Sequence, residues 1–216
     1  MSSPAPSDRE QALALTPVSR ETLHRLDRFV ESLLAVQAHT NLIAPSTIPH
    51  LWTRHVADSL QLLDLAPDAR TWIDLGAGGG FPGIVLACAL ADRSEARIHL
   101  VESVGKKASF LRETAESLKL PVEVHAVRIE DFVKNAPSGV DAVTARALAP
   151  LDKLLRLAAP LLAGGAVGLF LKGRDVSSEL TAASHSWNID ADLLPSKTHP
   201  DARIVAVRRA MRKRGR

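Results

Sequence analysis

From Arg70 onward, short apolar runs alternate with longer segments of helical spacing, and that alternation limits the fold more than any other feature. The short runs are Trp72-Leu75, Arg97-Glu102, Val122-Val127, Asp141-Arg146 and Ala166-Lys172. Between and after them lie helical patterns at Pro82-Leu90, Lys106-Leu118, Leu151-Leu162 and around Val176-Trp187. Strands alternating with helices of this length predict βαβ units and a mostly parallel sheet covered on both faces. A final apolar pair follows Leu193, the last being Ile204-Val207. Ahead of this region, Leu23, Leu26, Phe29, Val30, Leu33 and Leu34 recur at helical spacing between Arg20 and Gln37. A second helix is expected from near Ile48 to Leu65, closed by Pro67 and Asp68. The expected fold is a doubly wound α/β domain over 70–207. A helical extension over 1–69 precedes it, with 1–7 as a disordered lead-in, and a basic tail over 208–216 follows.

Charge and composition narrow the setting. Between Arg203 and Arg216 stand seven Lys/Arg and no Asp/Glu, more than the whole surplus of +3, so the rest of the chain is net acidic. Such a segment suits phosphate contacts and nucleic acid, and equally a solvated tail. A single cysteine cannot form an internal disulfide, so a reducing compartment is the default. No apolar run approaches a membrane span, and MSSPAPSDRE has no secretory pattern, so a cytoplasmic protein is expected. The eight histidines show no metal-ligand spacing, and no metal is expected. No heptad seam appears, which points to a monomer.

The sharpest local signal is Trp72-Ile73-Asp74-Leu75-Gly76-Ala77-Gly78-Gly79-Gly80-Phe81-Pro82-Gly83, a glycine loop between a predicted strand and helix. Read from Gly78 it satisfies the dinucleotide fingerprint G-x-G-x-x-G. Read from Asp74 it resembles motif I of class I S-adenosylmethionine-dependent methyltransferases. Asp74 favours the second reading, because a carboxylate complements a methionine ammonium and repels a pyrophosphate. Glu102, ending the next strand, suits a ribose diol in either case. A purely structural glycine turn, with Asp74 as a helix-capping acid, is the bland alternative.

Missing residues restrict the methyl acceptor. Cys88 lies in an apolar helix, where a core role outweighs that of a nucleophile activating a pyrimidine ring. The segment Thr144-Pro150 lacks the Asn/Asp-Pro-Pro-aromatic loop of adenine amino-group methylases. An acceptor already nucleophilic at neutral pH is left, and guanine N7 is permissible. Orientation then carries most of the rate.

Several motifs in order resemble the ribosomal RNA small subunit methyltransferase G (glucose-inhibited division protein B) family. They are Asn41-Leu42-Ile43-Ala44, Arg54-His55-Val56-Ala57-Asp58-Ser59-Leu60, the Asp74-to-Gly83 loop, Glu102-Ser103-Val104-Gly105-Lys106-Lys107, Ser109-Phe110-Leu111, Arg146-Ala147 and Leu171-Lys172-Gly173. The resemblance implies methyl transfer from S-adenosylmethionine to N7 of a guanine in the decoding-region loop of 16S RNA, on a class I methyltransferase fold. It implies cofactor contacts at Asp74, Gly76, Gly78, Phe81, Glu102, Ile129, Glu130 and Arg146, with Arg146 also positioning the target base. It further implies RNA contacts at Arg54, His55, Lys106, Lys172 and Arg203. Gly79 stands where many members carry proline, an expected gain in loop freedom. A methyltransferase with a non-RNA acceptor and a non-catalytic nucleic-acid-binding module are the rival readings.

Overall fold

The computed structural model describes residues 5–213. Seven strands form one sheet in the order β3-β2-β1-β4-β5-β7-β6. They are β1 (Thr71–Leu75), β2 (Arg97–Val101), β3 (Val122–His125), β4 (Ala142–Arg146), β5 (Val167–Lys172), β6 (Trp187–Pro195) and β7 (Arg203–Arg212). The first five are parallel, and β7 runs antiparallel between β5 and β6. The dinucleotide-binding order ends instead on a sixth strand reached by continued parallel winding. Strand order reverses at β1 and β4, so a crevice opens beyond their carboxyl ends, where open α/β sheets bind ligands.

Each face of the sheet has its own core. One joins Trp72, Ile98, Leu100 and Leu171 to α2 (Arg20–Gln37), α4 (Gly83–Leu90) and α5 (Gly105–Ser117). The other joins Ile73, Val143, Phe170 and Val205 to α6 (Ile129–Phe132), α7 (Leu151–Ala163) and α8 (Val176–Ser186). Helix α2 is amphipathic, with Leu26, Phe29 and Leu33 fully buried in the first core. The N-terminal helices are therefore packed into the sheet's own core.

Four sequence expectations change. Part of the supposed lead-in is ordered: Ser7 caps α1 (Asp8–Leu15), accepting from the Glu10 N–H while the Glu10 carboxylate accepts from the Ser7 N–H. That is a capping box, legible as Ser-x-x-Glu. Residues 1–4 lie outside the described residues. The single helix expected from Ile48 to Leu65 is a chain of short turns. A 3-10 turn (Pro45–His50) leads into a π turn (Trp52–Ala57), then α3 (Asp58–Leu60) and a second 3-10 turn (Gln61–Leu65). Pro49 inside the first turn removes a backbone donor there. The Asp8 carboxylate accepts from the Trp52 N–H at 2.7 Å, so α1 satisfies a donor at the start of the π turn.

The third change concerns the basic segment. Arg208–Arg212 continue β7, Arg209–Arg212 pairing with Trp187–Asp190, and Arg208, at the register shift, bridges Asp190 and Asp192. The tail expected from residue 208 is in this part a strand whose partner supplies the counter-charge, while residues 214–216 lie outside the described residues. Strand β6 likewise starts at Trp187, earlier than Leu193, because its alternating buried and exposed residues read as a half-buried strand and not as an apolar run.

Candidate active site

Two cavities meet at the carboxyl ends of the parallel strands, and Arg146, Ala147 and Leu148 form the wall they share. Ala147 holds a left-handed conformation (φ 49°), which turns the chain sharply out of β4 and places this wall.

The first cavity, about 510 Å³, lies over the glycine loop. Gly76, Gly78 and Gly80 have φ of 73°, 55° and 97°, a sequence of turns that side chains resist. A Cβ on Gly76 would also stand 2.7 Å from Leu148 Cδ1. Gly79 is packed rather than loose, because a Cβ there would lie 2.9 Å from the Leu42 carbonyl oxygen. This close approach replaces the expected gain in loop freedom. Glu102 borders the cavity, its Oε2 accepting from the Gly78 N–H at 2.9 Å and its Oε1 from the Val104 N–H at 2.7 Å. Each carboxylate oxygen keeps a lone pair for a ligand hydroxyl. Phe81, Ile129 and Arg146 complete the expected lining, with Lys107 added by the fold.

Two cofactor expectations are corrected. Asp74 is 1% exposed and outside the lining. Its Oδ2 accepts from the Gly83 N–H at 2.9 Å and its Oδ1 from the Thr144 hydroxyl at 3.0 Å, which ties the loop and the start of α4 to β4. Burial pushes its carboxyl up to about 7, against the pull of those two hydrogen bonds. It acts as the loop's internal cap, leaving no open carboxylate to face an ammonium. Glu130 is exposed and outside the lining, turned to Arg128 at 3.7 Å, because only Ile129 of that helix start faces inward.

Arg146 crosses between the cavities. Its Nη2 donates to His55 Nδ1 at 2.5 Å and its Nη1 to the Arg54 carbonyl at 3.1 Å. Its guanidinium lies 5.9 Å from the Phe81 ring centroid and 4.0 Å from Asp58. Arginine only donates, so His55 Nδ1 must carry the lone pair and Nε2 the proton, which goes to Thr47 Oγ1 at 2.8 Å. Thr47 in turn donates to the Ala44 carbonyl at 2.7 Å. His55 is 4% exposed, and burial, with Arg146 and Arg54 beside it, lowers its pKa to about 3. The RNA contact expected of His55 is therefore corrected to a neutral support for Arg146.

The second cavity, about 590 Å³, is lined by Arg54, Lys172, Arg174 and Arg203 together with Asp58, Glu179 and Asp201. Arg54 is exposed and has no ion pair among the described residues; its i+4 neighbour Asp58 is held instead by Gln61, Ser196 and Thr198. Lys172 is not an open cation: its Nζ contacts Glu179 at 2.6 Å and the Ala149 carbonyl at 2.7 Å. That corrects its expected phosphate role to one of pinning the shared wall. Arg203 faces the cavity while donating to the Pro200 and Ala202 carbonyls. Lys106 is exposed on α5 and lines neither cavity. Arg174 was missed from the sequence, where it carried no motif.

Comparison with known proteins settles the family. The model for rRNA small subunit methyltransferase G (GidB) matches residues 22–203. The chain belongs to this family. Ribosomal RNA small subunit methyltransferase G of Bradyrhizobium sp. strain BTAi1 is 59% identical, over 93% of this chain and 90% of that protein. Its counterpart in Rhodopseudomonas palustris strain BisB5 is 54% identical, over 98% and 91%. Among solved structures, cofactor-bound Rv0187 from MTB has a TM-score of 0.62 at 16% identity, over 95% of this chain and 98% of that one. An O-methyltransferase from Bacillus cereus, in complex with SAH, has a TM-score of 0.60 at 18% identity, over 93% and 97%. These two show the class I methyltransferase fold. As a member of the GidB family, the chain carries its family motifs on the two cavity walls: the glycine loop and Glu102 on one side, Arg54 on the other, Arg146 between.

Proposed function

We propose that this chain transfers a methyl group from S-adenosylmethionine to N7 of a guanine in 16S ribosomal RNA, in the decoding-region loop, as a cytoplasmic monomer acting on the small subunit. The observation that carries this reading is the shared wall: a cavity over the glycine loop and a cavity lined by arginines meet across Arg146. Family membership supports the RNA acceptor. Glycines at positive φ and a carboxylate with spare lone pairs fit a nucleoside with a ribose diol.

When bound, the cofactor supplies an electrophilic methyl on a sulfonium. At guanine N7 that methyl would be added to a free lone pair of the acceptor. No proton leaves, so no general base is required. The residues present agree with that demand. His55 Nδ1 is occupied by Arg146, and Cys88 is buried in α4 with its thiol pushed up to about 12 by burial. Arg146 holds the boundary at which the two reactants meet, and the His55–Thr47–Ala44 relay keeps its guanidinium in place. Phe81, Leu148 and Ile43 give the first cavity an apolar part of its lining. The fixed geometry of reacting atoms is then the main source of rate.

The test is mass spectrometry of nucleosides from small ribosomal subunits lacking this modification, after incubation with the protein and S-adenosylmethionine. New 7-methylguanosine, lost with Arg146→Ala, is the expected result. Cofactor binding without any new methylated nucleoside would overturn the RNA reading.

A further inference from the structure

We propose that His99, Glu123 and His125 form a binding site for one transition-metal ion of the zinc class, clipping the edge strand β3 to β2. The site lies apart from the chemistry argued above and rests on none of it. In the parallel pair, His99 stands opposite Glu123, and Val101 opposite His125. Side chains two apart on a strand share a face, so the pairing brings the two imidazoles and the carboxylate together. His99 Nδ1 lies 3.1 Å from His125 Nε2 and 3.5 Å from Glu123 Oε2, and His125 Nε2 lies 3.7 Å from Glu123 Oε1.

Those separations match the edges of a ligand tetrahedron. Metal–ligand bonds of about 2.0–2.1 Å at tetrahedral angles place neighbouring ligand atoms about 3.3–3.4 Å apart. Two histidines and a glutamate are a donor set that zinc accepts, with a further position for water. Solvent reaches the site from the side of the exposed Glu123. A direct ring-to-ring hydrogen bond is the competing account of the 3.1 Å contact. It uses one proton where a metal would use none, and leaves Glu123 unnecessary.

An ion here would also brace the first cavity. The His125 ring centroid lies 4.6 Å from that of Phe132, on the same short helix as Ile129, which lines that cavity. The His125 carbonyl accepts from the Glu102 N–H at 3.1 Å.

The test uses the full chain, stripped with a chelator and titrated with Zn²⁺ against a chromophoric competitor, then with Co²⁺ followed by its visible absorption. One equivalent of Zn²⁺ per chain, and a Co²⁺ spectrum of tetrahedral intensity displaced by Zn²⁺, are expected. Glu123→Gln and His99→Gln should each weaken binding by roughly tenfold or more. His99 is buried, so Glu123→Gln, at an exposed position, decides if the histidine variant fails to fold. No binding by the wild-type chain, or affinity unchanged in Glu123→Gln, would overturn the site.

Discussion

Asp74, buried behind the glycine loop, and His55, in the cavity lining, have opposite titration behaviour. The Asp74 carboxyl titrates near 7 in the folded chain and near 3.8 in the unfolded one. Between those values the folded protein keeps a proton that the unfolded chain has released. Its contribution is therefore complete below about pH 4 and lost as pH rises through 7. His55, held to about 3, does the reverse: stability present above pH 6.5 declines as pH falls toward 3, because only the unfolded chain takes up the proton. Asparagine at position 74 can satisfy Gly83 and Thr144 without ionising. Urea unfolding at pH 5 and pH 8 is expected to show the wild-type advantage over Asp74→Asn shrinking by on the order of 1–3 kcal/mol. Asp74→Ala, which strands a buried donor and a hydroxyl, should cost about 2–4 kcal/mol at pH 5 and less at pH 8, since alanine does not ionise either. An identical pH slope in wild type and Asp74→Asn would refute the raised carboxyl. At His55, alanine is expected to lower kcat/KM on the order of 10²-fold by loosening Arg146. Asparagine, whose Oδ1 can accept where Nδ1 did, should recover part of it with KM unchanged.

Helix α2 and strand β7 show how elements far from the chemistry support it. The Phe29 ring lies 5.2 Å from Phe81 and 6.5 Å from Phe110, and its tip lies 3.1 Å from where a Gly80 Cβ would stand. The amphipathic helix thus supports the glycine loop from beneath. Phe29→Ala is expected to cost about 3–5 kcal/mol in unfolding free energy. Isothermal titration should also show weaker cofactor binding, because the loop loses its support. In β7, removing residues 208–216 deletes the backbone partners of Trp187–Asp190 and uncovers Trp187, which donates from Nε1 to Asp152 at 2.9 Å. A fall in melting temperature on the order of 5–10 °C is expected by calorimetry. A truncation therefore cannot isolate a role for these charges in RNA binding. Substituting Arg209 or Arg212, which keep the strand, tests charge alone.

Across the whole molecule, two cavities of opposite purpose share one wall, and its anchors come from distant parts of the chain: α8 through Lys172–Glu179, and the Pro45–Ala57 turns through His55. Arg54 and Arg174 are the exposed cations at the second cavity, so they rather than Lys172 should carry its salt dependence. Arg54→Ala and Arg174→Ala are each expected to reduce the slope of log K against log salt by about 0.7–0.9, the share of one neutralised phosphate. Lys172→Ala should leave that slope unchanged and cost about 2–3 kcal/mol in stability, since Glu179 is then deprived of its charged partner. Filter binding at several salt concentrations checks the slopes, and urea unfolding checks the stability.

Alternating apolar runs and helical patterns were enough to place six of the seven strands near their observed positions, because buried parallel strands must be apolar. The glycine loop was equally legible, since its local turn demands those residues wherever it occurs. The direction of a side chain relative to neighbours on other strands is a different matter, set by register and burial. Asp74 reads as a ligand acid, yet the fold turns it inward to Gly83 and Thr144. His55 and Lys172 read as RNA contacts, yet each meets a half-buried partner more than five residues away, across a cavity wall. His99, Glu123 and His125 have no telling spacing along the chain, and strand pairing brings them within 4.8 Å. Local chemistry and periodicity act between near neighbours and are written in the chain. Solvation and pairing across the fold depend on which surfaces close against each other, and these decided the roles of the charged side chains.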